Sequence, residues 1–184
     1  DEVVVSSDDH AVLDLAYHAG AQTSLRDEHL STDDAGLIDV LTSYLASRVD
    51  CMEICLLLPN CPLRTSADIV GAFRRFRDTG ASAVLSTVDY GWTPPFRALV
   101  ESDGDLKFYS EEWKTKKSQL YPRVVCPSGA IYFAKRNAVI NADSLYIENL
   151  KSFNIPWHRG VDIDTKKDFV LAEGIKRLLD LGFS

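Results

Sequence analysis

Apolar residues along this chain alternate between short continuous runs and stretches with helical spacing. "EVVVSS" reads as a strand, and "DDHAVLDLAYHAGA" follows with Val12, Leu15, Ala16 and Ala19 at helical intervals, Asp8 or Asp9 as cap and Gly20 as stop. "DDAGLIDVLTSYLA" repeats the device through Ile38, Leu41 and Leu45. "EICLLLP" is continuously apolar, as in a strand covered on both faces. Ser66 is placed to cap "ADIVGAFRRFRDTG", a helix predicted to bury Ile69, Val70, Phe73 and Phe76 and to stop at Gly80. "SAVLSTV", "GAIYFAKR" and "WHRGVDID" read as further strands. A Thr165-x-x-Asp168 capping box opens a last helix that Gly182 closes. Between Asp89 and Pro127 the pattern changes to proline- and tryptophan-containing sequence with a hairpin signal at Ser102–Asp105.

Alternating strands and helices predict an α/β fold with a mostly parallel sheet between helical layers, in one domain over residues 1–184. In such sheets ligands bind beyond the carboxyl ends of the strands. The polar residues there are Ser7, Asp8 and Asp9, then Asn60 and Arg64, then Asp162 and Asp164.

Of the 184 residues 46% are hydrophobic and 26% charged, an ordinary globular balance. A net charge of -7 and a pI near 5.0 argue against nucleic acid or an anionic membrane as partner. No apolar run is long enough for a membrane span. The four cysteines lack zinc-type pairing and read as free, buried thiols, which points to the cytoplasm. None of the ten glycines is spaced G-x-G, and neither G-x-S-x-G nor H-E-x-x-H occurs, so dinucleotide-binding, P-loop and serine-hydrolase signatures are missing. The chain opens without Met directly on a strand-like run, as if trimmed at its front.

Several segments admit a chemical and a purely structural reading. If Val161–Asp164 is a strand end, Asp162 and Asp164 share a face with Cα atoms roughly 6.7 Å apart, able to hold Mg²⁺ against phosphate oxygens. They equally suit a polar strand end feeding a helix cap. Arg64, in "LLLPNCPLRTSADI", either grips a carboxylate or phosphate in forked fashion or closes a tight turn. Gly129 in "PSGAIYF" allows close backbone approach to a ligand, and Tyr132 points to a site or into the core.

Taken in order, "DEVVVSSDDHAVLDLAYHAGA", "LRDEHLSTDDAGLIDVL", "LLLPNCPLRTSADI", "PSGAIYFAKR" and "VDIDTKKDFVLAEGI" resemble the acylneuraminate (CMP-sialic acid) cytidylyltransferases from Asp1 to about Leu179. The resemblance implies a three-layer α/β/α, Rossmann-like nucleotide-diphospho-sugar transferase fold. It implies a reaction of CTP with a nine-carbon 2-keto acid sugar, dependent on Mg²⁺, giving the CMP-sugar and pyrophosphate. Asp162 and Asp164 match the family's metal-binding aspartates, and Arg26 matches an arginine near the nucleotide. Asp34, Ala35 and Gly36 match the backbone lining the cytidine pocket. Tyr132 matches a tyrosine facing the sugar, with Leu145 and Tyr146 at apolar sugar contacts. Arg97 and Lys117 match basic positions that reach a neighbouring subunit's site, making residues 89–127 a dimerisation arm exchanged in a homodimer.

Two departures qualify the match. The family's Q-P-T-S-P-L-R is here Leu58 to Arg64, and the asparagine of N-G-A-I-Y is Ser128, which implies a different or modified sugar such as a legionaminic- or pseudaminic-type acid. The family's opening strand and glycine- and lysine-rich phosphate loop have no counterpart in the chain, which is read as N-terminally truncated. The alternatives are a catalytically silent homologue serving as a binding or dimerisation module, and a transferase for another keto-acid sugar.

Overall fold

The computed structural model describes residues 2–183. Its first stretch runs β1 (Val4–Ser7), α1 (His10–His18), β2 (Gln22–Leu25), α2 (Leu37–Ala46) and β3 (Glu53–Leu56). The middle holds α3 (Ser66–Thr79), β4 (Ala83–Asp89), β5 (Leu99–Ser102) and β6 (Asp105–Phe108). The remainder is β7 (Val125–Lys135), α4 (Arg136–Val139), β8 (Leu150–Asn154) and α5 (Lys166–Asp180). Two compact units result. One is the segment ending at Met52 with Arg136–Ile147, and the other is Glu53–Lys135 with the segment from Glu148 on.

In the first unit, Asp9 caps α1 by accepting the Ala11 N–H. The chain reverses at Gly20, whose φ of +87° favours glycine, and β2 then pairs parallel to β1. Strand β2 reads Gln-Thr-Ser-Leu and has no apolar run, so periodicity does not reveal it. Helix α2 starts at Gly36, whose N–H donates to the Asp39 carboxylate, and buries Leu41 and Leu45.

The second unit is built on a four-stranded sheet of order β3-β7-β4-β8. It is mixed rather than mostly parallel: β7 runs antiparallel to both β3 and β4, while β8 is parallel to β4. The cause lies after β4, where the chain enters the 90–124 segment instead of a crossover helix and so returns in the opposite sense. That segment carries the hairpin β5–β6, turned through Asp103 (φ 54°) and Gly104 (φ 83°), as a two-residue turn between right-twisted strands requires. Phe96, Trp113 and Tyr121 cluster beside it with ring centroids 4.6–5.5 Å apart.

Three local expectations change. "WHRGVDID" is not a strand: Trp157–Arg159 form a 3₁₀ turn and residues 161–164 make no ladder. The place beside β4 is taken by β8, and Pro156 has no N–H with which to continue it. Helix α3 is capped by Thr65 and not Ser66, because Thr65 finds Asp68 three positions on to complete a reciprocal capping box; from Ser66 the same position is Ile69. Finally, α3 buries Ala72 and Phe76 while leaving Val70 and Phe73 46% and 40% exposed. Strand β3 is likewise not covered on both faces, since Cys55 is exposed among the four free cysteines.

The core joins Phe76, Val84, Ile131, Phe133 and Ile155, with Phe76 stacked on Phe133 at 6.0 Å. Where β4 meets β7 the pairing passes from Leu85–Tyr132 to Thr87–Pro127, so Ser86 alone faces residues 128–131. This bulge would orphan backbone groups at no exposure. Ser86 resolves it by accepting the Ile131 N–H and donating to the Ser128 carbonyl, both at 2.9 Å.

Gly71 of α3 faces β8 so closely that a Cβ there would lie 2.5 Å from the Phe153 ring. Gly71→Ala gains about 1 kcal/mol of helix propensity but overpacks this contact by about 2 kcal/mol. The expected outcome is a net loss of about 1 kcal/mol in urea unfolding.

Asp68 is 4% exposed and accepts a two-pronged hydrogen bond from Arg159, both arms 2.9 Å. Burial alone would raise its pKa, but hydrogen bonds from Arg159 and Thr65 outweigh it and hold the carboxyl below the usual range. A depressed folded pKa contributes stability that is complete above the unfolded value of about 3.9 and is lost as pH falls through the folded value. Asp68→Asn is expected to cost about 3 kcal/mol at pH 7 by leaving a largely buried guanidinium without its counter-charge. Urea titrations at descending pH should show that cost shrinking below about pH 4.

Candidate active site

In the second unit the structure brings the predicted residues Asn60, Arg64, Asp162 and Asp164 together between the turn after β3 and the loop before α5. Apolar and polar residues alternate along the loop: Val161 and Ile163 pack, as Leu179 does, onto the cluster of Leu63, Ala172 and Ile175. Asp162 and Asp164 are exposed. Inward anchoring of the two apolar residues thus keeps both carboxylates outward, as a strand would, although no strand forms. The loop is tied to the turn by one backbone bond, Ile163 N–H to the Asn60 carbonyl at 2.9 Å.

Side chains reinforce that tie. Asn60 Nδ2 donates to Asp164 Oδ1 at 3.4 Å, and the Cys61 thiol donates to Asp162 Oδ1 at 3.6 Å. Burial first, and then the Asp162 charge, push the Cys61 thiol up to about 12, so it stays a protonated donor. Asp164 also gives its N–H to the Asp168 carboxylate, which closes the α5 capping box with Thr165. The two readings of the acidic pair therefore coexist: Thr165 and Asp168 start the helix, and the carboxylates of Asp162 and Asp164 remain outward beside it.

Arg64 takes the structural role. Its Nη1 donates to the carbonyls of Leu58 (2.5 Å) and Cys61 (2.9 Å), closing the Pro59–Pro62 turn from below. Burial lowers its pKa from the usual arginine value. The close approach at Gly129 is made by the protein itself: a Cβ there would meet Leu58 Cδ1 at 2.7 Å and Cys61 Sγ at 3.4 Å. Leu58 N–H also reaches the Gly129 carbonyl at 3.4 Å. Tyr132 is 3% exposed, and burial pushes its hydroxyl up to about 12. Arg97 and Lys117 lie exposed on the 90–124 segment.

The first unit holds the remaining candidates. Arg26 binds its own sheet, Nη2 donating to the Ser6 carbonyl at 2.8 Å. With Ser6, Ser24, Tyr44 and Arg48 it lines a cleft of about 430 Å³. Asp34 and Ala35 border a separate groove with His29, Asp39 and Ile140, and Gly36 serves as the α2 cap. Leu145 is half-buried, and Tyr146 is 66% exposed.

Sequence reasoning did not single out Cys61, Asp68, Thr65 or Arg159. A polar residue at the third helical position after a threonine was a visible signal for Asp68; nothing in the sequence pairs it with Arg159, 91 residues away.

Among the described residues no group of three or more His, Cys, Asp or Glu side chains is placed to hold a metal. A magnesium ion shared with phosphate needs less: one or two carboxylates, the rest being phosphate and water oxygens. Asp162 and Asp164, hard oxygen donors on one exposed side of the loop, fit that demand. No helix among the described residues is long and apolar enough to cross a membrane.

No protein-family model matches the chain. It is 26% identical over 178 residues to the post-translational flagellin modification protein B of Campylobacter coli, covering 93% of this chain and 75% of that protein. It is 29% identical over 188 residues to the CMP-N,N'-diacetyllegionaminic acid synthase of Legionella pneumophila, covering 97% and 79%. Against the N-acylneuraminate cytidylyltransferase of Streptococcus agalactiae identity is 23% over 174 residues, 94% of this chain but 42% of that one, so the chain spans less than half of such longer relatives. Among solved structures, a CMP:2-keto-3-deoxy-manno-octonic acid synthetase complexed with CTP superposes with a TM-score of 0.66 at 17% identity, covering 100% of this chain and 82% of the other. A 4-diphosphocytidyl-2C-methyl-D-erythritol synthase from Anaerococcus prevotii gives 0.67 at 11%, covering 96% and 82%. Those two establish the nucleotidyltransferase fold. The relatives aligned over nearly its whole length include N-acylneuraminate, pseudaminic acid and legionaminic acid cytidylyltransferases, so the chain is similar to the acylneuraminate cytidylyltransferases.

Proposed function

We propose that the protein carrying this chain activates a nine-carbon 2-keto acid sugar with CTP, releasing pyrophosphate and the CMP-sugar. The anomeric hydroxyl oxygen of the sugar attacks the α-phosphorus while the bond from that phosphorus to the pyrophosphate oxygen breaks. Both substrates are anions and the chain carries a net charge of -7, so the phosphates need positive charge from elsewhere. Asp162 and Asp164 are the residues that would hold Mg²⁺, which when bound neutralises phosphate oxygens and charge on departing pyrophosphate. The turn Pro59–Pro62, closed by Arg64, meets the acidic loop through Asn60 and Cys61 and helps orient those carboxylates before any ligand arrives. Holding charged groups ready in this way is where such transfers gain most of their rate.

The observation that carries this reading is the exposed Asp162–Asp164 pair on a tethered loop, in a chain whose aligned relatives include sialic, pseudaminic and legionaminic acid cytidylyltransferases. Leu58 stands where the family has an amide and packs over Gly129. That apolar surface favours a sugar acid of the legionaminic or pseudaminic type over one that presents a hydroxyl there. The 89–127 segment, with Trp92 88% exposed and an aromatic cluster at its base, is the proposed dimerisation arm. Through it Arg97 and Lys117 would serve the neighbouring subunit.

Asp164→Ala is expected to lower pyrophosphate release from CTP and the sugar acid by about a hundredfold or more, roughly 3 kcal/mol of transition-state stabilisation. Its thermal unfolding should change little, because the side chain is exposed. Turnover at the parent rate in the whole protein would overturn the assignment.

A further inference from the structure

The Asp68 carboxylate accepts hydrogen bonds from both sides of the candidate site. From the turn after β3 it takes the Thr65 N–H (2.9 Å) and Thr65 hydroxyl (2.8 Å), one residue beyond Arg64. From the loop before α5 it takes Nε and Nη2 of Arg159, three residues before Asp162. A forked guanidinium–carboxylate pair fixes orientation as well as distance, and burial shields this one from solvent competition. The adjoining Gly160 is seated as tightly: a Cβ there would lie 2.5 Å from Val88 and 3.1 Å from the Ser128 hydroxyl of the bulge.

Besides this clamp and the packing of Val161 and Ile163 on the Leu63 cluster, the polar contacts that hold the acidic loop to the turn among the described residues are the Ile163–Asn60 backbone bond and two long side-chain contacts. Bonds of 3.4 and 3.6 Å, one of them from a thiol, are weak restraints against the mutual repulsion of two carboxylates. The strong polar restraint lies three residues upstream.

We propose that Asp68 and Arg159 are positioning residues: their ion pair holds the Val161–Asp164 loop against the Asn60–Cys61 turn and so sets where Asp162 and Asp164 present their oxygens. The proposal rests on the cytidylyltransferase reading for its catalytic consequence, but not for its structural one. Arg159 is the informative partner to change, since Asp68 also caps α3 and its loss would disturb the helix start.

The experiment compares the whole parent protein with Arg159→Ala and Arg159→Lys. Amide hydrogen exchange is read at Ile163, whose N–H reports the tether directly, and in the interior of β4 and β7. Exchange at Ile163 should quicken about tenfold or more in Arg159→Ala with the β4 and β7 amides unchanged, and less in Arg159→Lys, whose ammonium can replace one arm of the fork. In the pyrophosphate assay, the Mg²⁺ concentration for half-maximal activity should rise about tenfold in Arg159→Ala while KM for CTP stays within about threefold. Unchanged Ile163 exchange overturns the proposal, as does equal loss of protection throughout the unit, which would mark the pair as merely stabilising. If Arg159→Ala does not fold, Arg159→Lys decides by the same exchange criterion. Faster exchange at Ile163 in a protein inactive even as the parent would leave the clamp standing and remove the cytidylyltransferase reading. An active parent whose Arg159 variants keep the same Mg²⁺ dependence would do the reverse.

Discussion

Burial of Val161 and Ile163 against Leu63, Ala172 and Ile175 is the constraint on which the candidate site depends. A chain that alternates apolar and acidic residues can satisfy its apolar members only by turning the acidic ones to water, whether or not it joins a sheet. Asp162 and Asp164 are thereby forced to one side together, despite their repulsion. The helix that follows gains from the same arrangement, since Asp168 caps it through Thr165 and also accepts the Asp164 N–H. Acidic groups near a helix start suit the dipole there, so packing, capping and proposed function draw on one stretch of chain without conflict.

The turn opposite is rigid for a different reason. Pro59 and Pro62 restrict its backbone, and Arg64 spans it from Leu58 to Cys61. An arginine spent on its own carbonyls is a weaker candidate for gripping a phosphate, yet it stiffens the segment that carries Asn60 and Cys61. The Ser86 bulge works the same way one strand over. By accepting and donating where the β4–β7 ladder breaks, it pairs the Ile131 amide and the Ser128 carbonyl that the bulge takes out of the ladder. That places Gly129 under Leu58 and Ser128 under Gly160, so sheet irregularity and loop placement are parts of one packing solution.

Under the proposed reaction an acidic chain brings two anions together, so the placement of its cations matters. The structure invests Arg26, Arg64 and Arg159 in internal bonds to Ser6, to the Leu58–Cys61 turn and to Asp68, and leaves Arg97 and Lys117 exposed. Under the proposed reaction, charge for the phosphates then comes from the metal held by Asp162 and Asp164 and from cations beyond these three arginines.

The capping box at Thr165, the stop at Gly80, the hairpin at Ser102–Asp105 and strand β4 were legible in the sequence, because each depends on residues within a few positions of one another. So was the shared side of Asp162 and Asp164, which follows from alternation alone. Strands β2 and β8 were not, since short polar-rich segments become strands only when a neighbour offers a ladder. The direction of β7 was hidden for a similar reason: nothing local says whether a chain leaving a sheet returns by a crossover or by an excursion. The choice of Thr65 over Ser66, the exposure of Val70 and Phe73, and above all the Asp68–Arg159 pair were decided by tertiary structure. A charge pair bridging 91 residues leaves no periodic trace, because its geometry exists only once α3 and the loop before α5 have been packed onto the same sheet.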